Sequence, residues 1–183
     1  MAHQTSAALE AGLAAIRLSP RDPGLVDLLV RRPEIGEREV LTEAILDPVV
    51  GLVGDSWLAR PSSRTGDGTP HPEMQLNIMN ARAAALIAGD RERWPLAGDQ
   101  FYVDFDLSAE TLPAGTRLSI GTAAIEITAQ PHTGCAKFSA RFGVEALRFV
   151  NSPAGKDLRV RGVCAKVVTG GVVRQGDQVR RIV

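Results

Sequence analysis

Short apolar runs, each closed by a turn rich in glycine or proline, recur along this chain from residue 25 to its end, and helical periods do not alternate with them. The run LVDLLVRR at 25–32, Val40 to Ile45, Gln75 to Met79, Phe101 to Leu107, Arg117 to Ile120, Ala124 to Ala129, Leu158 to Val168 and Val172 to Val183 all read as strands. Turns fall at Glu34-Ile35-Gly36, Trp94-Pro95-Leu96-Ala97-Gly98, Pro113-Ala114-Gly115, Gly121, Gly170-Gly171 and Gly176-Asp177. Many short strands joined by turns cannot bury their apolar faces singly. They predict a mainly β protein, a closed or nearly closed β-barrel with a few short helices packed around it. A doubly wound parallel sheet is excluded because no helix follows each strand.

Three segments break the pattern. Thr5 and Ser6 cap a helix that carries Leu9, Leu13 and Ile16 at helical spacing and ends before Pro20. With the turn at Arg21-Asp22-Pro23-Gly24, this predicts a helical appendage over 1–23 and one barrel domain over 24–183. Asn80 caps a helix over Ala81 to Ala88, which Gly89 ends. Phe138, Phe142, Ala146 and Phe149 form an apolar stripe that Gly143 divides into two short helices. The segment from Pro61 to Pro72 is a long surface loop, expected to shape access to any site beneath it.

The 183 residues suit one core, and Lys plus Arg balance Asp plus Glu at 21 each. A neutral surface does not steer toward nucleic acid or anionic lipid, and no run is long and apolar enough to span a bilayer. The N-terminus lacks the basic start and uninterrupted apolar region of a signal peptide. Two cysteines are too few for a disulfide scaffold, which predicts a reducing, cytoplasmic setting. Neither has zinc-finger spacing, and P-loop, G-x-G-x-x-G and G-x-S-x-G motifs are absent.

The stretch Gln130-Pro-His-Thr-Gly-Cys-Ala-Lys-Phe138 carries the most chemistry. A strand ends, a glycine turn follows, and a helix starts near Cys135. Unsatisfied backbone N–H groups at such a position favour an anionic sulfur, and His132 and Lys137 are expected to add positive charge. Cys135 with His132 is the candidate catalytic pair, suited to a nucleophile, a sulfur carrier or a soft-metal ligand. A small buried core cysteine is the competing reading for Cys135 and the favoured one for Cys164, which sits inside a strand. Arg159 and Arg161 are expected to share one face of the penultimate strand, as a phosphate clamp or as a solvated face. Gly54-Asp55 beside Trp57 either positions a ligand or makes a turn, and His71 lies between two prolines of the long loop.

Gly51-Leu-Val-Gly-Asp-Ser-Trp57, the segment ITAQPHTGCAKF leading through Cys135, and the closing Arg161-Gly-Val-Cys-Ala-Lys166 to Gly176-Asp177 resemble, in this order, the MOSC domain family, named for the C-terminal part of molybdenum-cofactor sulfurases. Gln75 to Met79 fits the family's strand leading into a helix. The resemblance spans Leu25 to Val183. It implies a barrel of the pyruvate-kinase-barrel-like type and identifies Cys135 with the family's characteristic cysteine, which carries a persulfide or ligates molybdenum of the pterin cofactor. It implies cofactor-binding roles for Lys137, Arg141, Arg159, Arg161, Asp55 and Gln75, and reduction of small N-hydroxylated or N-oxide compounds. A sulfur carrier or cofactor-binding module without turnover is the alternative. With no flavin, iron–sulfur or pyridoxal-phosphate domain in the chain, a reductase would draw electrons from a separate protein. Exposed β edges make a homodimer an expectation. Gly134 stands before the cysteine where many members have proline.

Overall fold

The computed structural model of the chain describes residues 3–182. Seven strands close into a barrel: β1 (Gly24–Arg31), β11 (Gln178–Ile182), β7 (Arg117–Ile120), β8 (Ala123–Ile127), β9 (Val163–Thr169), β5 (Leu76–Asn80) and β6 (Phe101–Asp104), which returns to β1. Every ladder is antiparallel except β5 with β6. That parallel pair requires a crossover, supplied by α3 (Ala81–Ala88) and a 3-10 helix over Arg91–Ala97. The strand β2 (Glu39–Leu41) extends β1, and β10 (Gly171–Arg174), β3 (Glu43–Asp47) and β4 (Gly51–Leu52) form a small second sheet. The expected single strand over Val40 to Ile45 is therefore two, in different sheets.

Alternation along the strands builds two apolar layers. Phe101 and Val103 fill the barrel while Tyr102 between them points into a helical layer outside. On β1 a bulge between Val26 and Leu28 shifts the parity, so Val26 and Leu29 both face inward and Leu28 and Val30 outward. The outer layer is covered by α3, α4 (Ala136–Phe142) and α5 (Val144–Asn151), with α1 (Ser6–Ala11) and α2 (Leu13–Arg17) docked on it. Leu9 of α1 is fully buried there, a contribution of about 1.5–3 kcal/mol. Asn80 caps α3 by accepting from the Ala83 N–H and donates to Ser19 and the Phe105 carbonyl. Gly143, at φ 92, separates α4 from α5.

Two local expectations are corrected. The turn expected over Trp94 to Gly98 is the end of the 3-10 helix, capped at Gly98, with Tyr102 donating its hydroxyl to the Trp94 carbonyl at 2.6 Å. The strand expected from Leu158 starts only at Val163. Ser152 and Pro153 nucleate α6 (Pro153–Asp157), Ser152 accepting from the Gly155 N–H. Arg159 and Arg161 thus lie on the turn leaving α6, with Arg159 at φ 47, rather than on one strand face.

No described helix is long and apolar enough to cross a membrane.

Candidate functional site

Segments that leave β1 and β8, or lead into β6 and β9, converge on a group of buried charges. Arg32 follows β1 and donates through Nε and Nη2 to both carboxylate oxygens of Asp55, at 2.8 Å each. Its Nη1 reaches the Gly98 carbonyl at 3.0 Å. Asp55 also accepts from the backbone of Arg32 and Trp57, which pins the loop after β4 to the barrel. Asp99, at the entry to β6, is fully buried and meets Nη1 of Arg161 at 2.7 Å. Arg161 further donates to the Ala97 carbonyl and lies 5.0 Å over the Phe138 ring. Each carboxylate is therefore paired with an arginine in the floor, since buried charge is tolerated only when paired, although Asp99 Oδ1 and Arg161 Nε make no hydrogen bond.

His132 sits on this floor with 10% of its side chain exposed, its Nδ1 3.4 Å from Asp99 Oδ1. Burial, then the nearby Arg161, Arg32 and Arg64, hold its pKa well below the ordinary histidine value. It is neutral at neutral pH and does not bring the positive charge expected of it. Cys164 completes the floor. It is buried on β9, faces Asn77, and burial with Asp99 nearby pushes its thiol up to about 12.

Cys135 is different. It is exposed at the N-cap of α4, and its side chain makes no capping bond. The loop that presents it closes tightly on α5. A Cβ on Gly134 would come within 2.8 Å of Leu147 and Val150, and the Gly134 N–H donates to Asn151. A proline there would lack that donor, which accounts for glycine at this position.

Cys135 opens onto a crater of about 700 Å³. Lys137 and Arg141 from α4, Arg38 from the β1–β2 connection, Arg60 just before the long loop, and Arg161 line it, with Ile35, Pro61 and Phe138 as apolar wall. No carboxylate side chain lines it. Burial and the mutual repulsion of Arg141, Arg32 and Arg60 lower the Arg38 pKa, and burial beside Arg32 lowers that of Arg60. The Arg60 Nε is buried without a partner. Arg38 is held on the Pro95 carbonyl and Arg141 on the Leu96 carbonyl. These cations are gathered by backbone carbonyls rather than neutralised. The long loop also roofs an adjoining cleft of about 300 Å³ with Arg64 and His71.

The structure thus brings Cys135, Lys137, Arg141 and Arg161 together on one crater. Asp55 and Gln75 line none of the cavities around the site. Asp55 is engaged by Arg32, and Gln75 donates to the Pro48 carbonyl and accepts from the Val167 N–H, joining loop to barrel. Arg159 and His132 line a separate cleft behind Arg161. Sequence reasoning missed Arg32, Arg38, Arg60 and Asp99. Each stands in a turn or loop without a motif, so no local pattern marks it.

A profile of the MOSC domain matches residues 70–180. The chain belongs to the MOSC domain family. The family is associated in general with binding of the molybdenum cofactor. Among solved structures, YuaD from Bacillus subtilis is 17% identical, with a TM-score of 0.66 over 86% of this chain and 94% of that one. YiiM from Escherichia coli is 18% identical, with a TM-score of 0.56 over 87% and 70%. At such identities they establish the barrel fold alone. No curated protein matches the chain.

The crater fits such a cofactor on its own chemistry. Among the described residues no three His, Cys, Asp or Glu side chains cluster as metal ligands. The chain offers one accessible thiol beside unneutralised cations, which suits a metal that arrives with its own donors and an anionic phosphate.

Proposed function

We propose that this MOSC protein holds a molybdenum cofactor at the Cys135 crater and reduces small N-hydroxylated or N-oxide compounds with electrons from a separate protein. The observation that carries the reading is the accessible Cys135 thiol on a crater lined by cations and no carboxylate. Cys135 would supply a soft thiolate ligand. Lys137, Arg38, Arg60 and Arg141 would bind the cofactor's phosphate, and the positions of Arg38 and Arg141 on backbone carbonyls limit the reorganisation needed. When bound, the cofactor supplies the two-electron chemistry that removes oxygen from nitrogen. Ile35, Pro61 and Phe138 would exclude water from the bound group.

The test is molybdenum and pterin content per chain for wild type and Cys135→Ala, expressed in a host that makes the cofactor and purified anaerobically. Near-stoichiometric metal in wild type, lost in the folded variant, is the expected result. Metal absent from both defeats the reading. The exposure of Cys135 also favours a persulfide-carrier role. In that case, mass spectrometry of the metal-free protein would show one additional sulfur atom on wild type and none on the variant.

A further inference from the structure

Behind the wall formed by Arg161 lies a second cavity of about 440 Å³ that shares only that residue with the Cys135 crater. Its polar side is cationic. Lys156 on α6, Arg159 on the following turn and Arg161 line it, and no carboxylate side chain does. Arg161 is neutralised from behind by Asp99, but among the described residues Lys156 and Arg159 enter no ion pair. The neutral His132 adds no charge, so the cleft carries two unpaired positive charges.

Arg159 is the telling residue. It is the single non-glycine with positive φ among the described residues, a conformation that costs a side chain about 1–2 kcal/mol. That backbone carries a half-buried guanidinium into the cleft wall, where its one protein bond is to the Leu112 carbonyl at 2.5 Å. Burial without a carboxylate lowers its pKa. A strained backbone that buries an uncompensated arginine is explained when an anion completes the arrangement. Its apolar lining comes from Pro131, Val150 and Val163. The volume exceeds what a bare inorganic anion fills and lies in the range of small-molecule pockets.

We propose that this cleft is a second binding site, separate from the cofactor crater, for a small phosphomonoester whose dianionic head meets Lys156 and Arg159 and whose organic body lies on Pro131, Val150 and Val163. The two unpaired cations match the charge of the phosphate. Arg161, fixed by Asp99, Ala97 and Phe138, walls the site off from Cys135.

The test is calorimetric titration of the purified protein with phenyl phosphate and with inorganic phosphate at low ionic strength, in molybdenum-loaded and cofactor-free preparations. Phenyl phosphate should bind more tightly than inorganic phosphate. Arg159→Asn keeps a residue that tolerates left-handed backbone and should weaken phenyl phosphate at least about tenfold. Lys156→Gln changes an exposed side chain, so its loss of affinity reads the site even if the Arg159 variant folds poorly. Because the crater cations can also take a phosphate when no cofactor fills it, the cleft is read as the component of phenyl phosphate binding that Arg141→Gln leaves in place and Arg159→Asn removes. The proposal is overturned if wild type binds neither probe, if inorganic phosphate binds as well as phenyl phosphate, or if Arg141→Gln abolishes binding while both cleft variants retain it. Loss of the site on molybdenum loading would assign the cleft to the cofactor's own phosphate and equally overturn a separate site. Failure of the chain to bind molybdenum would defeat the proposed function but leave the titration decisive for the cleft.

Discussion

The floor and the rim of the site use the same residue types to opposite ends. In the floor, Arg32 and Arg161 are each matched to a carboxylate, His132 is neutral, and the Cys164 thiol is held protonated by burial. On the rim, Arg38, Arg60, Lys137 and Arg141 face a crater with no carboxylate, and the Cys135 thiol is open. Pairing with a carboxylate rather than residue identity separates scaffold from ligand-seeking surface: arginines matched to a carboxylate within the chain hold loops in place, and cations without one are available to a ligand.

The two thiols give the sharpest test. At pH 8 a thiol with pKa near 12 is ionised to about one part in 10⁴. A thiol-specific reagent should therefore modify one cysteine quickly in native wild type, none quickly in Cys135→Ala, and the second only after denaturation. Rapid modification of both in native protein would break the division between floor and rim.

The next largest effect is on stability. Asp55→Ala leaves Arg32 buried without its partner and should cost about 3–5 kcal/mol in urea unfolding. The double replacement Arg32→Met with Asp55→Leu should recover much of that loss, because no buried charge remains. Equal losses in both would show that the pair acts mainly through packing.

His132 sets a pH dependence. Its folded pKa is depressed, so below about 6.5 the unfolded chain binds a proton that the native protein refuses. Stability should fall as pH drops below about 6.5, with a slope of up to about 1.4 kcal/mol per pH unit from this residue. Denaturation of wild type and His132→Gln between pH 5 and 8 checks it; the variant's curve should be flatter on the acid side.

The smallest stability effect belongs to the rim. Lys137→Ala should change unfolding free energy by less than about 0.5 kcal/mol, while lowering molybdenum retention measured as metal per chain. A large stability loss would move Lys137 into the scaffold.

The strand positions were legible because alternating burial on β7 and β8 leaves a period of two in the sequence, and glycine and proline mark the turns. The division at Gly143 was legible for the same reason: only a glycine adopts that backbone readily. Leu158 to Val160 misled because an apolar run beside a strand looks like more strand, whereas Ser152 and Pro153 had already started a helix one turn earlier.

By itself, then, the chain's sequence determined a turn-rich barrel and singled out Cys135, since periodicity and a cysteine at a strand-to-helix turn are local properties. Which arginines are neutralised, that Asp99 lies beside both Arg161 and His132, and that Arg38, Arg60 and Arg141 gather around one thiol were decided by the tertiary structure alone. These residues come from connections far apart in the chain, and the pairing of a charge depends on which loops the closed barrel brings within hydrogen-bond distance, a relation that no local pattern encodes.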